Sequence, residues 1–151
     1  MDKNIVFPEK FWWGAATSGP QTEGSTDKIH ENVMDYWYRK SPEVFFNQVG
    51  PDVASDFYHH YQEDFERMAQ IGFNSFRTSI QWSRLIKDFE TGEADERAVE
   101  FYRNVIQEAK KHGITLVLNL HHFDMPIDLL KKYGGWESKY VVDLFVKFAQ
   151  T

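Results

Sequence analysis

Residues 114–120 have the sequence Ile-Thr-Leu-Val-Leu-Asn-Leu, and this stretch decides the fold class of the 151-residue chain. A nearly continuous apolar run of this kind is typical of a strand that is covered on both faces within a parallel sheet. Another segment, Phe73 to Ile80, is rich in aromatic and β-branched residues and predicts a strand with Arg77 in its middle. A further strand is expected from about Trp12 to Ser18. The sequence therefore predicts three strands.

Helices are predicted between these strands. Pro51 and Asp52 indicate the start of one helix, because apolar residues follow at three- and four-residue spacing until Gly72 ends the pattern. Asp95 is a suitable N-cap for another helix, which has a basic last turn and ends at Gly113. Each predicted helix thus lies between two predicted strands.

The remaining segments complete this alternation. Thr22 to Gly50 is expected to be a long polar loop, which is long enough to suggest a function. After the last strand we expect a short helix to about Lys132 and an amphipathic helix from about Ser138. Strands that alternate with helices predict a parallel sheet, either doubly wound and open or closed into a (β/α)8 barrel.

The choice between these folds depends on the turn after the first strand. An open nucleotide-binding sheet predicts a Gly-x-Gly-x-x-Gly loop there, and the stretch from Gly14 to Gly24 does not have this pattern. A complete barrel needs about 250 residues and eight strands. We therefore predict an α/β fold, a partial (β/α)8 TIM barrel with about the first three βα units. Residues 1–151 would form the amino-terminal portion of one barrel domain.

Composition excludes several classes of function. The net charge of −6 argues against a nucleic-acid partner, because phosphate backbones are bound through clustered Lys and Arg. The chain has no Cys, so it has no disulfides, thiolate chemistry or Cys-bound zinc. Neither a signal peptide nor an apolar run long enough to cross a bilayer is apparent. We expect a cytoplasmic protein with no membrane partner, whose 17% aromatic residues suit stacking on sugars.

Four separated segments resemble motifs of glycoside hydrolase family 1 and occur in the family's order. They are Phe11 to Gly24, Asp56 to Asp64 with Met68 and Gly72, Phe76 to Arg84, and His122 to Pro126 with Gly134-Gly135-Trp136. Within them, Gly19-Pro20-Gln21 and His121-His122-Phe123 resemble the 6-phospho-β-glucosidase branch. The resemblance implies the amino-terminal portion of a retaining β-glycosidase that acts on β-glucosides or 6-phospho-β-glucosides, with no cofactor.

The resemblance also implies roles for individual residues. Gln21 would bind the glycone, since its amide both donates and accepts hydrogen bonds, although a loop amide can equally cap the backbone. His122 would bind a sugar hydroxyl, whereas a His near apolar residues is often only part of the core. Arg77 would lie beside the catalytic nucleophile and keep it ionised; an Arg buried against Asp or Glu for barrel structure is the other interpretation, and the two are not exclusive. Phe123 stands where the family more often has Trp and would be a substrate contact.

Other polar residues in these motifs are expected to be structural. Glu23 can bond nearby backbone or an Arg, Asp56 lies in the first turn of a helix, and Asp124 lies beside a strand end. Trp136 is assigned to packing. A metal site made of His121, His122 and Asp124 is disfavoured, because adjacent residues on a strand face opposite ways.

The catalytic pair of the family has no counterpart in this sequence. Retaining hydrolysis needs two carboxyl groups roughly 5–5.5 Å apart. The resemblance implies Glu residues in an Asn-Glu-Pro and a Glu-Asn-Gly motif, and neither motif occurs here. Glu23 and Asp124 would project from non-adjacent strands and are not expected to replace them. The chain alone is thus predicted to be inactive.

Two kinds of partner follow from this interpretation. The first and third strands of a partial barrel have open edges, which favour binding of the complementary remainder of the barrel or self-association. The alternative function is a non-catalytic sugar-binding or assembly module that keeps the glycone contacts.

Overall fold

A computed structural model of the protein describes residues 5–151. The strands within this range are β1 (Gly14–Ala16), β2 (Ser75–Ser79), β3 (Ile86–Asp88), β4 (Glu93–Ala94) and β5 (Thr115–Asn119). The α-helices are α1 (Gly19–Thr22), α2 (Val33–Lys40), α3 (Phe57–Gln70), α4 (Trp82–Leu85), α5 (Glu96–Lys111), α6 (Ile127–Tyr133) and α7 (Lys139–Gln150). Within residues 5–151, no helix has the length and apolar character needed to cross a bilayer.

The main sheet has three parallel strands in the order β1-β2-β5. Ala16 of β1 lies opposite Arg77 of β2, which in turn lies opposite Val117 of β5. The short strands β3 and β4 form a separate antiparallel pair. The predicted parallel sheet is confirmed, and β1 and β5 are its two edges, as expected for a barrel that is not closed.

One face of this sheet packs on helices α3 and α5. Phe76 of β2 is buried there, with its ring 6.0 Å from that of Phe57 and 5.8 Å from that of Phe65. Trp82 extends the same core towards α7 and stacks on Phe148 at 5.6 Å. Because side chains alternate along a strand, Arg77 points to the opposite face of the sheet.

Two predictions of local structure are wrong. The segment from Thr22 to Gly50 is not a loop throughout, because it contains α2. Asn32 caps this helix by accepting hydrogen bonds from the backbone N–H groups of Met34 and Asp35, and the Asp35 side chain accepts from the Asn32 N–H. This reciprocal capping box stabilises a helix start within an otherwise polar sequence.

The helix predicted from Pro51 begins later. Residues 51–55 form turns, and α3 begins at Phe57 after Asp56, which has a φ of 54° in the left-handed region. Val53, which completes the apolar spacing in the sequence, is 61% exposed. Its position in the pattern is therefore coincidental, since only burial on a helix face gives such spacing its meaning.

Candidate active site

Arg77 lies at the centre of the candidate site and joins the carboxyl ends of all three strands. Its Nη1 donates to the carbonyl oxygen of Thr17, beyond β1, at 2.8 Å. Its Nε donates to Oδ1 of Asn119, the last residue of β5, at 3.2 Å. Its Nη2 lies 2.9 Å from Nδ1 of His122. The structure thus brings together Arg77 and His122, two of the predicted site residues.

Gln21 lies in α1, directly after β1. The hydroxyl of the buried Ser18 donates to Oε1 of Gln21 at 2.7 Å, and Gln21 is an exposed residue. The N–H of Gly19 donates to Oγ of Ser79 at 2.8 Å and fastens α1 to the end of β2. The start of α1, which carries Gln21, is therefore held at the carboxyl end of β2, the strand that carries Arg77. In the part of the chain that the structure describes, no hydrogen bond joins these two side chains.

Phe123, another of the predicted substrate contacts, is exposed. Its side chain is 75% exposed, and its ring centroid lies 5.2 Å from that of His122 in an edge arrangement. Its φ of 60° is in the left-handed region, which a residue other than Gly enters at a cost of about 1–2 kcal/mol. A sharp turn after β5 therefore presents Phe123 to solvent beside His122.

Asp124 is buried beneath this turn. Its Oδ1 accepts a hydrogen bond from the backbone N–H of His122 at 2.8 Å and lies 3.4 Å from Nδ1 of His121. Burial raises the pKa of the Asp124 carboxyl and lowers the pKa of His121, whose ring packs edge-on against Trp136 at 5.1 Å. These contacts agree with the structural roles expected for Asp124 and Trp136.

Glu23 forms the centre of a buried polar cluster behind the site. Its carboxylate accepts hydrogen bonds from Arg84 Nε at 2.8 Å, Gln81 Nε2 at 2.7 Å and the Tyr102 hydroxyl at 3.1 Å. Burial raises the pKa of Glu23, and the opposite charge of Arg84 counters that shift. Arg84 also donates to the carbonyl oxygens of Gly24 and Thr26. This cluster fastens the chain after α1 to α4, so Glu23 has the structural role expected of it.

The partners of Glu23 were not predicted from the sequence. Gln81, Arg84 and Tyr102 lie 58, 61 and 79 positions away along the chain, so local spacing gave no signal. The sequence indicates this cluster only through the expectation that Glu23 bonds nearby backbone or an Arg, since an Arg follows later in the Gln-Trp-Ser-Arg motif. For residues 5–151, no group of three or more His, Asp or Glu side chains is arranged to hold a metal ion.

The family follows from a comparison of the whole chain with known sequences. The sequence profile of Glycosyl hydrolase family 1 matches residues 3–151. The chain belongs to this family. It is 47% identical over 147 residues to the 6-phospho-beta-glucosidase GmuD of Bacillus subtilis, covering 96% of this chain and 31% of that protein. It is 37% identical to the 6-phospho-beta-glucosidase AscB of Escherichia coli, covering 97% and 34%.

The structural comparison gives the same family. An aphid myrosinase superimposes with a TM-score of 0.88 at 30% identity, and the match covers 97% of this chain and 32% of that one. The chain thus spans about a third of the length of the family 1 proteins it matches. Together with the open parallel sheet, this confirms the predicted partial (β/α)8 TIM barrel with three βα units.

Proposed function

We propose that the chain is the amino-terminal part of a retaining 6-phospho-β-glucosidase and supplies one wall of its glycone pocket. The observation that carries this proposal is the 47% identity with a 6-phospho-beta-glucosidase along nearly the whole chain. Residues 1–151 would be part of one barrel domain, and the cytoplasmic location stays a prediction.

The proposed roles fit the contacts of each side chain. Gln21 and His122 would hydrogen-bond sugar hydroxyl groups, and Phe123 would cover a face of the sugar ring with its exposed side chain. Arg77 would hold the catalytic carboxylate ionised, because a fixed cation favours the charged form of a neighbouring acid. Its three hydrogen bonds within the sheet would keep that cation in place.

Hydrolysis would require two further glutamates from outside this sequence. The two buried acids near the wall already have structural partners, since Glu23 is paired with Arg84 and Asp124 accepts from the His122 backbone. These existing partners argue against a role for Glu23 and Asp124 as the acid and nucleophile pair. We therefore propose that the chain alone does not hydrolyse glycosides, and that a partner completes the barrel along its open strand edges.

Complementation tests this proposal directly. The purified chain is assayed on a chromogenic 6-phospho-β-glucoside, alone and after co-expression with the remainder of the Bacillus subtilis relative. We expect no turnover alone and turnover with the complement, with the unphosphorylated glucoside much poorer. His122→Ala should lower kcat/KM at least about tenfold, by loss of a hydrogen bond to the developing transition state worth about 1.5 kcal/mol. The exposed His60→Ala should have no effect. Turnover by the chain alone would contradict the proposal.

A second candidate is a non-catalytic sugar-binding module. It is favoured by the fact that the contact between Arg77 and His122 is made within this chain and needs no further residue. Saturable binding of glucose 6-phosphate or cellobiose by the chain alone, measured by calorimetry, would support this candidate. If the chain binds neither sugar at millimolar concentration, the sugar-binding module is excluded and the proposal of an enzyme fragment remains.

A further inference from the structure

The hydrogen bond between Arg77 and His122 fixes the chemistry of the His122 ring. A guanidinium group has only donors, so Nδ1 of His122 must be the acceptor in the 2.9 Å contact with Nη2 of Arg77. A neutral imidazole with an unprotonated Nδ1 carries its proton on Nε2. His122 therefore offers Nε2–H, a donor, on the side of the ring away from Arg77.

The turn that contains His122 is fixed at its C-terminal end by two backbone hydrogen bonds. The N–H of Val33 donates to the carbonyl oxygen of Met125 at 2.9 Å, and the N–H of Ile127 donates to the carbonyl oxygen of Glu31 at 3.0 Å. These bonds hold residues 125–127 on the start of α2. At its other end the turn continues from β5, so His122, Phe123 and Asp124 bridge two fixed points.

Within the turn, one side chain fixes the direction of His122. Phe123 has its left-handed φ of 60°, a conformation that persists only when neighbouring contacts hold it. The contact that holds this conformation is the 2.8 Å hydrogen bond from the His122 N–H to Oδ1 of Asp124. Because Asp124 is fully buried, water cannot replace this acceptor without a rearrangement of the core.

We propose that Asp124 is a positioning residue that holds the His122 ring against Arg77 and so keeps it as the Nε2–H donor. The proposal rests on the proposed function in one respect: in a glycone pocket this donor would bind a lone pair of a sugar hydroxyl oxygen. Asp124 itself does not touch the sugar and acts only through His122.

Nuclear magnetic resonance of the chain labelled with ¹⁵N-histidine tests the proposal without substrate. In the unaltered chain we expect a His122 ring with hydrogen-bonded, unprotonated Nδ1 and protonated Nε2, assigned by the loss of its signals in His122→Gln. Arg77→Met should remove the Nδ1 hydrogen-bond shift while the His122 backbone amide stays protected from exchange. Asp124→Ala should remove both signatures. Asp124→Asn keeps an acceptor oxygen and should preserve both.

The control is Asp128→Ala, an exposed residue four positions further on α6, which should leave the His122 ring unchanged. If Asp124→Ala does not fold, Phe123→Gly is added, because Gly adopts the left-handed φ without cost. An unchanged ring signature in a folded Asp124→Ala or Phe123→Gly/Asp124→Ala chain would overturn the proposal. So would loss of that signature in folded Asp124→Asn. Failure of complementation would instead overturn only the proposed enzymatic function.

Discussion

Replacement of Arg84 by Met should be among the most damaging single changes in the chain. The Arg84 and Glu23 side chains are 1% and 2% exposed, and Nε lies 2.8 Å from the carboxylate oxygen. Met fills a similar space but carries no charge. Glu23 would keep its hydrogen bonds from Gln81 and Tyr102 and would lose the only cation that pairs with it in residues 5–151.

The expected loss of stability comes from the Glu23 carboxylate, which would stay buried without its cation. Removing one member of a buried ion pair costs about 3–5 kcal/mol, because the other charge stays buried without its partner. The carbonyl oxygens of Gly24 and Thr26 also lose their donor from Arg84. Domains of ordinary size unfold with about 5–15 kcal/mol. Arg84→Met should therefore remove about a fifth or more of the free energy of unfolding.

Urea unfolding at pH 7, followed by tryptophan fluorescence, measures this change. The matched control is Arg97→Met. The side chains of Arg97 and Asp27 form a salt bridge and are 58% and 43% exposed, so this pair should contribute only about 0–1 kcal/mol. The double change Glu23→Gln/Arg84→Met should be less destabilising than Arg84→Met alone, because no uncompensated charge remains. Equal unfolding midpoints for Arg84→Met and Arg97→Met would refute the reasoning, as would a double variant that is the least stable of the set.

Three further predictions concern the sheet edge, the core and the turn. Gly14→Ala would place Cβ in a clash with the carbonyl oxygen of Ser75, so it should destabilise β1 pairing by about 1–3 kcal/mol in the same urea assay. Trp82→Ala empties a site that is 1% exposed and should cost about 3–5 kcal/mol, measured by thermal unfolding. Burial lowers the pKa of His121 from its usual 6.5, so its neutral form stabilises the fold above pH 6.5, and this contribution is lost as pH falls through the lowered value. His121→Leu should therefore gain stability relative to the unaltered chain on acidification, and a constant difference between pH 8 and pH 5 would contradict this.

Much of the fold could be predicted from the sequence, because the long helices have a clear apolar periodicity and two of the three strands are rich in apolar, aromatic or β-branched residues. The apolar run at 114–120 became β5, and the pattern that ends at Gly113 became α5. The two errors have different causes. Val53 has helical spacing without burial, whereas Asn32 starts a helix through a capping box in a polar segment. The spacing of apolar residues shows neither whether a residue is buried in the fold nor whether a side chain caps a helix.

The candidate site was only partly predictable. Arg77 and His122 were both expected in the site from motifs, and their direct contact came from the structure. The left-handed Phe123 and the hydrogen bond from His122 to Asp124 depend on backbone angles that no side-chain pattern reveals. The partners of Glu23 are too distant along the chain for spacing to indicate them.

Arg77 makes more hydrogen bonds to the rest of the chain than Gln21 and Phe123 do, and this difference guides the choice of positions for engineering. Arg77 makes contacts beyond β1, within β5 and with His122, so any replacement there would disturb three strands at once. Gln21 and Phe123 are exposed, and their bonds to the scaffold are few. Under the proposed function, a library that aims to broaden the accepted sugars should therefore vary Gln21 and Phe123 and leave Arg77 unchanged. Changes at the two exposed positions alter what the surface offers a ligand at little cost to folding.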